Sequence, residues 1–385
     1  MIDPINVPGG SRTYVRSLLH MFEMRRMRFT LVDGRNKPTL VRKLVVLTAS
    51  CGNKDRYGLS LLRWRLRVLA HILRDTIQEV APSLIHAQDA AVAATVAPMA
   101  KARGIPLVLT VHGPASKEAV ARGAVSDGAL VSYIKQLEQH AYRAASRIIA
   151  VDEGQAWIAR EEFGVPDAKV RVILNAVPLE RYPAALPTGR ESYVLVPRRL
   201  VEKNGVHFAI LAFARVSKQY PFLRLIVAGD GPLRLELQEL AAREGVGDRV
   251  TFLGSVPHEQ MATLLGGALA VIIPSVPVAG VVEASSIAAL EAMASARPVI
   301  ASDIGGLREI IKHEDTGFLV PPGNVELMAT TILNLIQNPA LARRVGERAR
   351  KSLVGRLDLD TWFRRIVDVY YEALHDRTRR AFSND

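Results

Sequence analysis

Short apolar runs alternate with longer amphipathic segments along almost the whole chain. Runs such as 106–111 are apolar at consecutive positions, which is typical of strands covered by helices on both faces. The longer segments repeat apolar residues at helical spacing. Strands that alternate with helices in this way indicate a parallel α/β fold.

The alternation forms two series, separated by a proline-spaced stretch at 177–189. Proline stops both strands and helices, so this stretch predicts a linker between two domains, 1–180 and 181–360. A last helix at 361–376 is expected to pack back on the first domain. The predicted strands are 28–32, 43–48, 84–87, 107–111, 147–151, 193–197, 223–228, 250–253, 270–273 and 298–301. The main predicted helices are 11–22, 59–80, 90–102, 129–144, 153–163, 324–337 and 340–352.

The opening of the chain departs from this pattern. A doubly wound domain begins with a strand, but residues 1–8 are few and interrupted by prolines. The sequence therefore predicts that the first strand is absent or replaced by a later one.

Composition narrows the class of protein. The chain has 385 residues, 49% hydrophobic and 23% charged, which suits two soluble globular domains. Its single cysteine, Cys51, cannot form a disulfide within the chain and indicates a reducing compartment. No apolar run reaches the length of about 18 residues that a membrane span needs, and no signal segment opens the chain. We expect a cytoplasmic protein, either free or peripheral at the inner face of the cell membrane.

The net charge of +12 calls for an anionic partner. Nucleic acid, an anionic membrane surface and a polyphosphate substrate all suit a basic protein. The arginines are spread over both domains and aromatic residues make up only 6%, which disfavours a nucleic-acid groove.

Ligands of open parallel sheets bind beyond the carboxyl ends of the strands. In the first domain Gly9 and Gly10 precede the first helix, where backbone N–H groups approach a phosphate; a plain tight turn is the alternative. His112 follows an apolar strand and is expected to face the cleft between the domains, with a structural histidine as the alternative. His86 ends the preceding strand and is predicted to be structural.

The second domain carries a basic loop and a tight turn at strand ends. In the loop 197–205, Arg198, Arg199 and Lys203 suit a diphosphate, unless they form an ordinary solvated charge run. The turn 227–232 lacks the third glycine of a dinucleotide-binding turn, so it predicts a neighbouring nucleotide but no nicotinamide site.

Two glutamates, Glu283 and Glu291, lie eight positions apart. If Glu283 precedes a helix that contains Glu291, the two carboxylates face the two ends of one elongated ligand. Glu291 lies among apolar and small residues, and a buried carboxylate is costly unless it accepts hydrogen bonds, for instance from ribose hydroxyls. An ordinary exposed helix position is the alternative.

These segments together resemble the retaining glycosyltransferases of the GT-B fold, in the "glycosyl transferases group 1" family (family 4-like). The resemblance implies an α/β protein of two Rossmann-like parallel-sheet domains facing across a cleft. It implies transfer of a hexose from a UDP- or GDP-sugar to a glycan or lipid-linked acceptor by a front-face mechanism, without a metal or other cofactor. The matching segments are Gly9–Gly10, His112, 147–151, Arg199–Leu200, 229–232, 252–257, the two glutamates and 299–309.

The resemblance assigns catalytic roles to four residues. Arg199 and Lys203 hold the donor diphosphate and neutralise the leaving group. Glu283 binds hydroxyls of the transferred sugar, and His112 contacts this sugar from the first domain.

The other matched residues bind the donor. Glycines at 9–10 close over the phosphate, Glu291 binds the ribose, backbone at 254–256 meets the base and backbone amides at 286–287 meet the sugar. This donor-binding set is Gly9, Gly10, Gly254, Val256, Ser285, Ser286, Ile287 and Glu291.

The chain departs from the family pattern at two places in the second domain. Residues 284–286 are Ala-Ser-Ser where the family often has Gly-Phe-Gly, which leaves the sugar undetermined. Asn204 stands where the family often has its phosphate-binding lysine, and Lys203 is one position short.

Other readings of the sequence stay open. Asp358 and Asp360 resemble a metal motif of other glycosyltransferases, although capping of the last helix by Asp360 is favoured. A non-catalytic nucleotide-sugar or polyanion binding protein and a nucleotide-sugar epimerase also suit the fold. On the predicted helix 59–80, arginines at 63, 67 and 74 share one face, which suits either an anionic membrane or plain solvent.

Overall fold

The structure is a computed structural model and describes residues 2–3, 10–33, 54–121, 123–126, 128–184 and 193–382. Side chains are described for 11–32, 55–121, 123–126, 128–184 and 193–376. The chain divides into two compact units. Unit 1 comprises Met1–Leu174 and Phe363–Asp385, and unit 2 comprises Asn175–Trp362.

Unit 1 is built on a parallel sheet with the strand order β2-β1-β3-β4-β5-β6. β4 is buried along its whole length, as its uninterrupted apolar sequence predicts. The elements are β1 Ile2–Asp3, α1 Gly10–Met24, β2 Val32–Asp33, α2 Lys54–Val80, β3 Ile85–Ala87, α3 Ala90–Ala102, β4 Leu107–Val111, α4 Ala115–Ala121, α5 Ala129–Ala144, β5 Arg147–Ala150, α6 Glu153–Trp157 with a π-helical turn Ile158–Glu162, and β6 Val170–Val172.

The predicted absence of an opening strand is wrong. β1 pairs in parallel with β2 and with β3, although it is only two residues long. Its shortness explains the error, because two residues before a proline carry no periodicity. The predicted strand 43–48 and Cys51 lie outside the described residues.

Unit 2 contains a six-stranded parallel sheet with the order β12-β11-β10-β7-β8-β9. From β7 the chain adds β8 and β9 towards one edge of the sheet, and it then crosses back to place β10 on the other side of β7. This reversal is a topological switch point, where open α/β sheets form a ligand crevice. The elements are β7 Tyr193–Val196, α7 Val206–Ser217, β8 Arg224–Ala228, α8 Arg234–Arg243, β9 Val250–Gly254, α9 His258–Gly267, β10 Ala270–Ile273, α10 Ile287–Ala294, β11 Val299–Ser302, α11 Leu307–Ile310, β12 Phe318–Val320, α12 Val325–Gln337, α13 Pro339–Leu353 and α14 Leu359–Phe382, which continues into unit 1.

The first part of the expected linker is packed on unit 2. The Val177 N–H donates to the carbonyl of Leu357 at 3.1 Å. The Arg350 guanidinium donates to the carbonyls of Leu179, at 3.2 Å, and Tyr182. These residues therefore belong to the body of unit 2, while 185–192 lie outside the described residues.

The cap of α14 is Asp358, so the assignment of this role to Asp360 is wrong. Asp358 Oδ1 accepts from the Thr361 N–H at 2.9 Å, the bond of an N-cap side chain to the third helical residue. Its other oxygen accepts from the Gly355 N–H and the Thr361 hydroxyl. Burial opposes the charge of Asp358, but these hydrogen bonds outweigh it and lower the pKa of the carboxyl.

Candidate functional site

Two loops meet at the switch point of unit 2, one after β7 and one after β10. Gly205 has φ 60°, and a Cβ atom there would lie 2.0 Å from the carbonyl oxygen of Pro274. The Val276 N–H donates to the Lys203 carbonyl at 2.9 Å. Glycine is required at 205 because only it permits both this backbone conformation and this contact.

Arg198 lies at the centre of the two loops. Its Nη1 and Nη2 donate to Oε1 and Oε2 of Glu283 at 2.9 and 2.7 Å, a two-pronged ion pair. The guanidinium also donates to Asn204 Oδ1 at 2.6 Å, Ser275 Oγ at 2.9 Å and Ser286 Oγ at 3.3 Å. Arg198 thus fixes the β7 loop to the β10 loop.

The charge of this cluster follows from the pair. Burial of Glu283 favours its neutral form, but the positive charges of Arg198 and Lys203 outweigh burial and lower the pKa of the carboxyl. Glu283 is therefore ionised at neutral pH and neutralises Arg198. Arg199 and Lys203, the other two cations of the same loop, are half-buried.

The sequence placed Arg198 among the cations of this loop, but it did not predict that Arg198 is the arginine that pairs with Glu283. Two neighbouring arginines are equivalent in the sequence, and the turn after Pro197 decides which of them points at Glu283. Glu283 was expected to be open to sugar hydroxyls, whereas both of its carboxylate oxygens accept from Arg198.

The predicted sugar-binding segment leads into α10. Ser285 and Ser286 are buried, and Ile287 is the first residue of the helix. The Asn175 side chain donates to the Ser285 carbonyl at 2.6 Å, and its N–H donates to Ser285 Oγ at 3.1 Å. The Gly306 N–H donates to the Glu283 carbonyl at 3.1 Å. The first amide groups of α10, which have no partner within a helix, are thus held in one place.

Glu291 lies inside α10, with Glu283 before the helix, as the spacing of the two residues predicts. Its carboxyl is buried, and the Tyr182 hydroxyl donates to Oε1 at 2.8 Å. His258 Nδ1 lies 3.6 Å from the same oxygen. Burial raises the pKa of Glu291 to about 7, although the bond from Tyr182 lowers it. Tyr182 and His258 were not predicted, because both are distant from Glu291 in sequence.

The segment predicted to meet the base follows β9. Gly254 has φ 71° and forms a bridge with Gly229, so the turns after β8 and β9 lie side by side. Val256 is half-buried and lies two residues before His258. The contact of His258 with Glu291 therefore brings this segment and the glutamate to one side of the sheet.

In unit 1, His112 directly follows β4. The Tyr14 ring packs edge-on against its imidazole, with 4.8 Å between ring centroids. Burial lowers the pKa of His112 to about 4, so the ring is neutral at physiological pH. Gly10 begins α1, and Gly9 lies outside the described residues.

The raised pKa of Glu291 predicts a measurable cost to stability. The folded chain keeps its proton up to a pH of about 7, whereas an unfolded carboxyl loses it near 4.5. Stability therefore falls as pH rises between these values, by about 3 kcal/mol. We expect Glu291→Gln, relative to wild type, to gain this amount between pH 4.5 and 8.

Urea unfolding measures this gain in a chain whose only tryptophan is the buried Trp362 of unit 2, after replacement of Trp64 and Trp157 by phenylalanine. Glu259→Gln, at an exposed position, is the control that we expect to show no such gain. A pH-independent difference between Glu291→Gln and wild type would contradict the raised pKa.

Comparisons with known proteins agree with this architecture. The family model described as "Glycosyl transferases group 1" matches residues 180–352, and the model described as "Glycosyltransferase Family 4" matches residues 8–181. A glycogen synthase of Mycobacterium tuberculosis is 28% identical over 339 residues, covering 86% of this chain and 80% of that protein. An alpha-D-kanosaminyltransferase of Streptomyces kanamyceticus is 27% identical over 365 residues, covering 88% and 90%.

Solved structures share the fold of the whole chain. HepE of Anabaena in complex with UDP-glucose has a TM-score of 0.72 at 21% identity, covering 96% of this chain and 98% of that one. The sucrose-phosphate synthase of Thermosynechococcus elongatus has a TM-score of 0.74 at 21% identity, covering 98% and 94%. Within the described residues, no helix has both the length and the hydrophobicity to cross a bilayer. With two adjoining family models that match nearly its whole length, the chain belongs to the group 1, family 4-like glycosyltransferases of GT-B fold.

Proposed function

We propose that the chain is a retaining glycosyltransferase that moves a hexose from a UDP- or GDP-sugar to a glycan or lipid-linked acceptor. The observation that carries this proposal is the switch-point cluster of unit 2. There the Arg198–Glu283 pair holds the loop that carries Arg199 and Lys203. Glu283 precedes α10, and this helix contains the buried Glu291. The relatives named as sugar transferases and the neighbour solved with UDP-glucose support the same donor class.

Each part of the cluster suits one part of such a donor. Arg199 and Lys203 bind the diphosphate, and Glu291 accepts hydrogen bonds from the ribose hydroxyls. The amides at the start of α10 bind oxygens of the transferred sugar. His112 of unit 1 contacts that sugar.

The reaction breaks the bond between the anomeric carbon and the β-phosphate oxygen, with positive charge developing on the sugar. The two cations stabilise the negative charge that builds up on the departing diphosphate, an effect worth several kcal/mol at preorganised sites. The acceptor oxygen bonds to the anomeric carbon on the same face, and its proton passes to the departing phosphate. The configuration at the anomeric carbon is thereby retained.

A screen of UDP- and GDP-hexoses with glycan and lipid-linked acceptors tests this function. We expect transfer from at least one donor, an unchanged anomeric configuration by NMR, and the same rate in EDTA because the proposal needs no metal. A sugar converted without any acceptor would favour the epimerase instead. Binding of a donor to the folded protein without turnover would favour a non-catalytic binding protein.

We also propose that α2 attracts an anionic membrane, which would bring a lipid-linked acceptor to the protein. Leu73 and Ile77 of this helix are buried, while a neighbouring face is exposed. That face carries arginines at intervals of seven, four and seven residues, so they form one stripe along the helix. The stripe consists of Arg56, Arg63, Arg67 and Arg74.

We expect Arg67→Glu/Arg74→Glu to reduce sedimentation with phosphatidylserine vesicles by tenfold or more at low salt, because two attractive charges become repulsive. The charge-matched control is Arg343→Glu/Arg344→Glu, at exposed positions of α13 in unit 2. Equal loss in both variants would show that only net charge matters, and no binding by the wild type would contradict the proposal.

A further inference from the structure

A chain of buried hydrogen bonds runs through unit 1 from the last helix to His112. His86 Nδ1 lies 2.6 Å from the Tyr370 hydroxyl, and His86 Nε2 lies 2.7 Å from Thr110 Oγ1. One end of the Gln88 amide, placed as Nε2, lies 3.0 Å from His86 Nε2. The other end, placed as Oε1, lies 3.2 Å from His112 Nε2. Tyr370 is thus connected to His112 through two buried side chains.

Both histidines that take part in these hydrogen bonds are neutral. Burial lowers the pKa of His86 to about 3 and that of His112 to about 4. A neutral imidazole has one N–H donor and one acceptor nitrogen. The ring nitrogen that carries the proton needs an acceptor as its neighbour, and the other ring nitrogen needs a donor.

The Tyr370 hydroxyl sets the direction of the chain. Burial raises the pKa of Tyr370, so its hydroxyl keeps its proton. Among the described residues, His86 Nδ1 is the one partner of this hydroxyl. A buried O–H without an acceptor costs about 1–3 kcal/mol. Tyr370 therefore donates to Nδ1, and His86 carries its own proton on Nε2.

The proton on His86 Nε2 then fixes which atoms donate and which accept in the hydrogen bonds between His86, Gln88 and His112. This N–H faces Thr110 Oγ1 and the near end of the Gln88 amide, which must be the oxygen if it is to accept. A half-turn of the amide exchanges its oxygen and nitrogen without moving other atoms. The amide NH2 then donates to His112 Nε2, which leaves the His112 proton on Nδ1.

We propose that Tyr370, His86 and Gln88 are positioning residues that hold His112 as the Nδ1–H tautomer, ready to donate a hydrogen bond from Nδ1. Within the part of the chain that the structure describes, no residue takes a hydrogen bond from this nitrogen, and the Tyr14 ring packs against the imidazole at an interplanar angle of 80°. That the recipient is an oxygen of the donor sugar rests on the proposed function. The tautomer itself does not.

NMR of the full-length protein with ¹⁵N-labelled histidine tests the tautomer through long-range ¹H–¹⁵N correlations, with His112→Gln assigning the signals. We expect the wild type to show Nδ1–H at His112. Tyr370→Phe removes the hydroxyl that donates to His86, and Gln88→Met removes the amide that links His86 to His112. In each variant we therefore expect both tautomers of His112 to be populated. Tyr371→Phe, at the exposed neighbouring position of α14, is the matched control and should leave the tautomer unchanged.

Transfer kinetics of the same variants test whether the tautomer of His112 matters for the transfer reaction. We expect Tyr370→Phe and Gln88→Met to lower kcat by about tenfold with a smaller change in KM, since the lost bond acts on the reacting sugar. An Nε2–H tautomer in the wild type, or an unchanged tautomer in both folded variants, would overturn the proposal. A changed tautomer with unchanged transfer would support the hydrogen-bond chain and remove His112 from the proposed function.

Discussion

Arg198→Met is expected to abolish transfer and to lower the free energy of unfolding of unit 2 by about 3–5 kcal/mol, because it leaves Glu283 charged and buried without its partner. Both side chains are largely shielded from solvent, with exposed fractions of 9% and 11%. The loss would also release Asn204 and Ser275, which accept from the same guanidinium. The two loops at the switch point would then lose the side-chain bonds that join them through Arg198.

Urea unfolding of the chain with Trp362 as its only tryptophan measures this effect. The double variant Arg198→Met/Glu283→Met removes both charges, so we expect it to recover much of the lost stability while transfer stays absent. Lys218→Met, at an exposed position after α7, is the control for loss of a charge in unit 2. Equal destabilisation by Arg198→Met and Lys218→Met would show that the pair does not hold the loops.

Arg199→Met and Lys203→Met are expected to reduce kcat by about 10²–10³-fold each, with the fold intact, because each removes a fixed charge that stabilises the departing diphosphate. Initial rates of product formation at saturating donor measure the change, and circular dichroism checks the fold. Lys218→Met, at an exposed position after α7, is the control for loss of charge in unit 2. Rates within a few-fold of wild type in both variants would remove the two cations from the proposed mechanism.

The sequence predicts most of the parallel architecture. Strand 107–111 and helices 90–102 and 129–144 occur at the predicted residues, because buried strands and amphipathic helices carry strong periodic patterns. β6 and β12 were not predicted. Each has three residues and lies at a sheet edge, which is too short for a pattern.

Side-chain partners were harder to predict than elements. The pairing of Arg198 with Glu283, 85 positions apart, depends on the direction of one turn after Pro197. The contact of Tyr182 with Glu291 spans 109 positions, and that of His86 with Tyr370 spans 284. No local pattern encodes such contacts, because they arise only when the sheet brings distant loops together.

The burial of Glu291 was predicted more successfully. It follows from the apolar neighbours of this residue on a short helix. The cap of α14 shows the limit of this reasoning. Two aspartates two positions apart are equal candidates, and the first helical residue decides between them.

Titration calorimetry of the folded protein with UDP and GDP tests the central claim most directly. We predict that wild type binds at least one of the two nucleoside diphosphates, and that Arg199→Met and Glu291→Gln each weaken this binding by tenfold or more. Lys218→Met should bind as the wild type does. Failure of the folded wild type to bind either nucleotide, or equal affinity in all four proteins, would contradict the assignment of the unit 2 cluster as the donor site.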